Sequence, residues 1–143
     1  MIYLDTSYLF RLYFDEPGAE RVRNLLDSGK TPACSIHGQT ELIAAAHRNY
    51  RESRLPQATF RAILKQIQLD SQTGHLLWLP LQQKTIDLTF SAYSKAPPHF
   101  FLRAADALHL ASARENGFKI IYSNDKRLLE SAPLFDLKGK NII

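Results

Sequence analysis

The chain opens with three apolar residues followed directly by an acid and two hydroxyl residues, reading Ile2-Tyr3-Leu4-Asp5-Thr6-Ser7. A short run that is apolar at every position predicts a strand covered on both faces of its sheet. Asp, Thr and Ser favour helix starts, because their side chains accept hydrogen bonds from the free N–H groups of the first turn. We therefore predict a buried strand that runs straight into a helix ending near Phe14.

The same alternation of strand and helix continues along the chain. The further strands are short and mostly apolar, which favours an α/β fold with a mainly parallel sheet. In such folds, ligands bind at the carboxyl ends of the strands, where strand-to-helix turns converge. The further predicted strands are 32–36, 76–79, 119–122 and a possible last one at 141–143, and the further predicted helices are 18–28, 37–53, 56–73, 82–94, 101–115 and 125–131.

Length and composition predict one folded domain over residues 1–143. Hydrophobic residues make up 45% of the chain and charged residues 22%, which excludes the apolar-poor composition of a disordered protein. Cys34 is the only cysteine, so we expect neither an intramolecular disulfide nor a Cys/His zinc site, and a reducing cytoplasm fits best. We expect neither export nor membrane insertion, because no apolar run is long enough.

The charge balance favours a polyanionic partner. The chain has 18 Lys and Arg against 14 Asp and Glu, a formal net charge of +4. If four of these acids line a site, only 10 others remain to balance the 18 basic residues. An acidic pocket within a basic surface suits nucleic acid and a metal ion together.

Two acids come directly after predicted strands. Asp5 follows the first strand and Asp125 follows residues 119–124, so both are expected at the same edge of the sheet. Each also suits the plainer role of a helix N-cap. Beside Asp5, the hydroxyls of Thr6 and Ser7 are able to share the capping, which would leave Asp5 freer to bind a metal.

A third acid, Glu41, lies early in the predicted helix 37–53. The next five residues, 42–46, are apolar, so we expect this helix to be buried on more than one face. The alternative role for Glu41 is a favourable interaction with the positive N-terminal end of the helix.

The fourth acid, Asp106, interrupts a predicted helix that is otherwise apolar except for Arg103, His109 and Ser112. These polar positions recur every three residues and form one stripe on a helix suited to burial. Burying an isolated carboxylate is costly, so Asp106 must be paired, hydrogen-bonded or bound to a cation. An ion pair with Arg103 or His109 is the alternative to metal binding.

Four clustered carboxylates would repel one another unless a cation neutralised them. Carboxylate oxygens are ligands that Mg²⁺ and Mn²⁺ prefer, and such an ion generates a nucleophilic water and stabilises the charge of a phosphate undergoing in-line displacement. Asp5, Glu41, Asp106 and Asp125 therefore predict a site for one or two divalent cations, of which one is the safer expectation.

At these residues the sequence resembles the PIN-domain ribonucleases, most closely the small bacterial and archaeal toxins of the VapC type. The resemblance spans almost the whole chain, and its motifs are weak singly but specific in this order. The motifs are Ile2-Tyr3-Leu4-Asp5-Thr6-Ser7, Thr40-Glu41-Leu42, Ala105-Asp106-Ala107-Leu108-His109-Leu110-Ala111 and Ser123-Asn124-Asp125-Lys126-Arg127-Leu128.

The resemblance implies a three-layer α/β/α PIN fold and endonucleolytic cleavage of RNA that depends on Mg²⁺ or Mn²⁺. It also implies a homodimer and a cognate antitoxin protein that occupies or distorts the acidic site. The family's acidic quartet, which would bind the metal and carry catalysis, matches Asp5, Glu41, Asp106 and Asp125.

Neighbouring polar residues match positions that support the metal or its water in the family, namely Thr6 or Ser7 and Asn124. Where some relatives carry a further acid, this chain has Lys126 and Arg127, which argues against a second metal. His109, three residues after Asp106, would be a ligand, a proton shuttle or the hydrogen-bond partner of that acid, and we favour the partner role.

A run of basic residues is the other candidate contact with RNA, because phosphates bind such side chains. The same residues would equally form a solvated face; they are Arg48, Arg51, Arg54, Arg61 and Lys65. Two other functions remain open, a housekeeping PIN nuclease without an antitoxin and a non-catalytic RNA-binding module. The intact quartet argues against the module, since a binding protein has little reason to keep four mutually repelling acids.

Overall fold

The computed structural model describes the whole chain, Met1–Ile143. Strands and helices alternate along it, as the apolar pattern predicts. The strands are β1 (Ile2–Leu4), β2 (Pro32–Ser35), β3 (Leu77–Leu79), β4 (Ile120–Tyr122) and β5 (Lys138–Lys140). The helices are α1 (Thr6–Tyr13), α2 (Ala19–Asn24), α3 (His37–Arg51), α4 (Gln57–Thr73), α5 (Gln83–Lys95), α6 (Ala104–Glu115) and α7 (Lys126–Ser131), with a short 3₁₀ helix at Ala132–Phe135.

The five strands form one sheet in the order β3-β2-β1-β4-β5, and every neighbouring pair is parallel. Tyr3 of β1 lies opposite Ala33 of β2 on one side and Ile121 of β4 on the other. After β1 the chain adds β2 and β3 on one side of that strand. It then crosses back and adds β4 and β5 on the other side. The carboxyl ends of β1 and β4 lie side by side, and this is where a parallel sheet opens a crevice.

Two hydrophobic cores cover the two faces of the sheet. Ile2 and Leu4 pack into a core with residues of α1, α2, α3 and α4. Tyr3, which points the other way, packs with residues of α5, α6, α7 and the 3₁₀ helix. Successive side chains of a strand point to opposite faces, so a wholly apolar β1 requires a layer of helices on each side. This arrangement confirms the predicted three-layer α/β/α architecture.

The last strand lies at Lys138–Lys140, so its prediction at 141–143 was wrong. The residues of β5, Lys138-Gly139-Lys140, show no apolar pattern. This strand lies at the edge of the sheet and is held by backbone pairing to β4, so it does not need to bury side chains on both faces. Gly139 is required there, since a Cβ atom at this position would lie 2.7 Å from Leu129 Cδ2 and 3.1 Å from Leu129 Cα.

Three helices also differ from the sequence-based predictions. Helix α2 ends at Asn24 and gives way to turns that reach Gly29. Helix α3 is buried on one face only, since Ile43 and Ala44 are exposed. Helix α6 begins at Ala104, not at residue 101, and Arg103 immediately before it has extended backbone. None of the helices is both long enough and apolar enough to cross a membrane.

Candidate functional site

A pocket of about 660 Å³ opens at the carboxyl ends of β1 and β4. It is the one place where all the predicted site residues meet. The acids come from four parts of the chain: the β1–α1 junction, α3, α6 and the β4–α7 junction. The eight predicted residues that line the pocket are Asp5, Thr6, Ser7, Glu41, Asp106, His109, Asn124 and Asp125.

Asp5 is the buried acid at the end of β1, with 4% of its surface exposed. Its Oδ1 accepts hydrogen bonds from the Tyr8 backbone N–H at 3.0 Å and from Ser7 Oγ at 2.6 Å. Asp5 itself is therefore the N-cap of α1, and Ser7 serves as its donor instead of relieving it of capping, contrary to the expectation from sequence. Burial raises the pKa of Asp5 above its usual range, although these hydrogen bonds oppose the rise.

Ser123 connects the two acids at the strand ends, and sequence reasoning missed this role. It is fully buried; its Oγ donates to Asp5 Oδ2 and accepts from the Asp125 backbone N–H at 2.9 Å. The only sequence signal was its position, since a polar residue directly after a buried strand must find partners inside the protein.

Asp125 is the N-cap of α7. Its Oδ1 accepts hydrogen bonds from the backbone N–H groups of Arg127 at 2.9 Å and Leu128 at 3.2 Å. Burial alone would raise the pKa of Asp125, but the Leu128 amide and the Arg103 guanidinium outweigh it and hold that pKa below its usual range. Asn124 supports the same junction through its backbone N–H, which donates to Ser7 Oγ at 3.4 Å.

Glu41 is held by two donors on neighbouring elements. Its Oε2 accepts from Thr6 Oγ1 at 2.5 Å and contacts His109 Nε2 at 2.8 Å. Burial would raise the pKa of Glu41, yet the hydrogen bond and charge of His109 lower it to about 2. The carboxylate is thus ionised, and its orientation is fixed from α1 and α6.

His109 is buried, with only 3% of its surface exposed. Its Nδ1 lies 3.0 Å from the Tyr3 hydroxyl, and its Nε2 contacts Glu41 on α3. Burial would lower the pKa of His109, but these partners and Cys34 raise it well above its ordinary value. The prediction that His109 partners Asp106 was wrong, because the ring reaches across to α3 rather than along its own helix.

Asp106 is 7% exposed, and its one side-chain partner is Arg103. Arg103 Nε donates to Asp106 Oδ2 at 2.7 Å, and Nη2 of the same guanidinium donates to Asp125 Oδ2. The ion pair that the sequence left open is therefore formed. The guanidinium also bridges two acids that lie 19 positions apart in the sequence.

The four acids fit a divalent cation. Their oxygens are hard ligands of the kind Mg²⁺ and Mn²⁺ take, and a cationic group already sits between two of them. A second grouping, His37, Glu41 and His109, brings its ligand atoms within 4.8 Å of one another. All four ring nitrogens there are engaged, however, with His37 bonding to Ser35 Oγ and the Ala105 carbonyl. We therefore assign that group to hydrogen bonding.

Basic residues surround the acidic pocket. Lys126 and Arg127 line its wall, and Arg127 lies 3.9 Å from the ring centre of Phe101. Of the predicted basic run, Arg48 and Arg54 line an adjoining groove, where both pair with Glu52 at 3.0 Å. Part of their charge is thus balanced within the protein.

Comparison with known proteins gives the fold and the family. The chain is similar to solved structures of FitAcB from Neisseria gonorrhoeae (TM-score 0.72, 20% identity, covering 97% of this chain and 96% of that chain). It is also similar to VapBC2 from Rickettsia felis bound to a promoter DNA fragment (TM-score 0.69, 15% identity, 99% and 98% covered). A third is VapC20 from Mycobacterium tuberculosis, described as a toxin that cleaves the sarcin-ricin loop (TM-score 0.63, 19% identity, 96% and 99% covered).

A search of curated protein sequences found no significant match. The profile of one protein family does match, that of the PIN domain, over residues 2–132. This span contains β1, β4 and all four acids of the pocket. The chain therefore belongs to the PIN domain family.

Proposed function

We propose that this chain is an endoribonuclease that depends on Mg²⁺ or Mn²⁺ and acts as the toxin of a toxin-antitoxin pair. The observation that carries the proposal is the meeting of Asp5, Glu41, Asp106 and Asp125 in one pocket of a PIN domain. The similar structures support the toxin assignment, since VapC20 is a toxin that cleaves the sarcin-ricin loop. The basic rim of the pocket suits a phosphodiester substrate.

The four acids would hold the cation, and the residues around them prepare each acid for that task. Ser7 and Ser123 orient Asp5 from both sides, and Thr6 and His109 orient Glu41. Fixing ligands through such neighbours is how proteins keep a metal site in shape. When bound, the cation supplies a water of lowered pKa and neutralises charge on the scissile phosphate. Lys126 and Arg127 attract the flanking phosphates.

RNA cleavage by the purified protein tests the proposal. We expect a labelled single-stranded RNA to be cut with Mn²⁺ or Mg²⁺ and to stay intact with EDTA. Asp106→Asn and Asp5→Asn should each reduce the rate by about 100-fold or more, because each removes a charge that holds the cation. Asp87→Asn, on the exposed surface of α5, is the matched control and should retain full activity. Cleavage in EDTA, or full activity of a folded Asp106→Asn protein, would refute the proposal.

The toxin assignment is tested in cells. We propose a homodimer that acts on RNA in the cytoplasm and is inhibited by a cognate antitoxin protein. Expression of the chain alone should arrest growth, and co-expression of the small gene beside it should restore growth. Light scattering should give twice the chain mass of 16.3 kDa. A catalytically active protein that leaves growth unaffected would be a housekeeping nuclease, and RNA binding without cleavage in Mn²⁺ would indicate a binding module.

A further inference from the structure

Arg103 contacts a second acid, Asp125, in addition to forming the ion pair with Asp106 that the sequence left open. Its side chain lines the acidic pocket and is 43% exposed, so it reaches the acids from the rim. The residue stands just outside α6, on extended backbone. It can therefore change rotamer without disturbing a helix.

The four acids differ in the donors that hold them. Asp5 is satisfied by two serine hydroxyls and the Tyr8 amide, and Glu41 by Thr6 and His109. These donors are fixed by the strands and helices that carry them. Asp106, in contrast, has Arg103 as its one hydrogen-bond partner. The neutralisation of its negative charge therefore depends on a long and partly exposed side chain.

The contact also uses particular oxygen atoms. On Asp125, Oδ1 is occupied by the backbone N–H groups of α7, and Arg103 takes the remaining oxygen, Oδ2. On Asp106 it likewise takes Oδ2. The capping of α7 occupies Oδ1 of Asp125. A divalent cation held by these two acids would therefore need Oδ2 of Asp125. At Asp125 the guanidinium therefore occupies the oxygen that a cation would need, and at both acids it carries charge of the same sign as the cation.

We propose that Arg103 is a built-in counter-cation that competes with the divalent metal for Asp106 and Asp125. In the metal-free protein it stabilises the two carboxylates, and the metal binds only as the guanidinium withdraws from them. Arg103 thus weakens the affinity for the metal while preserving the fold in its absence. This inference rests on the metal site of the proposed function and on no assumption about RNA.

Metal affinity measured without substrate tests the inference. We would titrate Mn²⁺ into the purified protein and follow free Mn²⁺ by electron paramagnetic resonance. Arg103→Gln should bind Mn²⁺ more tightly by about tenfold or more, because a competing charge next to the site is lost. Arg103→Lys should fall between the wild type and Arg103→Gln, since an ammonium group lacks the planar fork that bridges two carboxylates.

Arg127→Gln is the matched control, because Arg127 lines the same pocket but stacks on Phe101 instead of pairing with the acids. Its effect on Mn²⁺ affinity should be less than about threefold, since a rim charge is screened by solvent. Thermal unfolding gives a second measurement. In EDTA, Arg103→Gln should melt below the wild type, and saturating Mn²⁺ should remove or reverse that difference.

The outcomes separate this inference from the proposed function. An unchanged or weaker Mn²⁺ affinity of folded Arg103→Gln, or an equal gain in Arg127→Gln, would refute competition while leaving the proposed nuclease intact. If the wild type and Arg103→Gln both bind no Mn²⁺, the metal site itself is refuted, and both proposals fail.

Discussion

Three of the buried serines offer a test of how the site is held together, because only one of these three has hydrogen-bond partners for its hydroxyl. Ser123 Oγ bonds to Asp5 and to the Asp125 backbone, whereas the hydroxyls of Ser112 and Ser131 have no partner. Replacing each by alanine removes the same oxygen atom from a buried position. We expect Ser123→Ala to lower the free energy of unfolding, and we expect the other two substitutions to leave it unchanged or to raise it.

The magnitude follows from the contacts of Ser123. A hydrogen bond to a charged group contributes about 1.5–3 kcal/mol and a neutral one about 1 kcal/mol, so Ser123→Ala should lower the free energy of unfolding by about 3 kcal/mol. Ser112→Ala and Ser131→Ala each remove a buried hydroxyl that bonds to no other group of the protein. Each should leave stability unchanged or raise it by about 1 kcal/mol.

Urea unfolding of the metal-free protein measures the difference, with Trp78 as the fluorescent probe, since it is the only tryptophan. With a slope of about 2 kcal/mol per molar urea, Ser123→Ala should shift the midpoint down by about 1.5 M. A shift below about 0.5 M would refute the reasoning. So would a loss in Ser112→Ala as large as that in Ser123→Ala, because burial alone would then explain both.

Two further substitutions test the supports of the site and the sheet. His109→Gln should lower the free energy of unfolding by about 2–3 kcal/mol, because it removes the buried imidazole that contacts both the Glu41 carboxylate and the Tyr3 hydroxyl, and urea unfolding should show no such loss for the exposed His75→Gln. Gly139→Ala should cost about 1–3 kcal/mol, because the new methyl group would press on Leu129 backbone and side chain. A thermal midpoint equal to that of the wild type would contradict the close packing of β5 on α7.

The fold was largely predictable because the decisive signals are local. The apolar runs at β1, β2 and β4 mark strands covered on both faces, and their alternation with helices fixes a parallel sheet. The strand Lys138-Gly139-Lys140 was not predictable in the same way. It owes its conformation to pairing with β4, which no local pattern of its own sequence encodes.

The meeting of the four acids in one pocket was also predictable, but the hydrogen-bond pairing around them was not. Asp5, Glu41, Asp106 and Asp125 were found from their positions and from the family resemblance, and they do share one pocket. Spacing along α6 suggested that His109 serves Asp106, whereas His109 turns to Glu41 on another helix. Contacts of this kind depend on how helices are rotated against each other, which a single sequence does not record.

The adjacency of β1 and β4 has a consequence for when the pocket comes into being. The two strands are separated by more than a hundred residues in sequence, yet Ser123 beside β4 completes the hydrogen bonds of Asp5 beside β1. Contacts between residues this far apart in sequence carry a large loop-closure entropy, which slows folding. A growing chain on the ribosome thus contains Asp5, Ser7 and Tyr8 long before it contains Ser123 and Asp125. The acidic pocket cannot close in a chain that stops before α7, because residues on both sides of the β4–α7 junction form part of its lining.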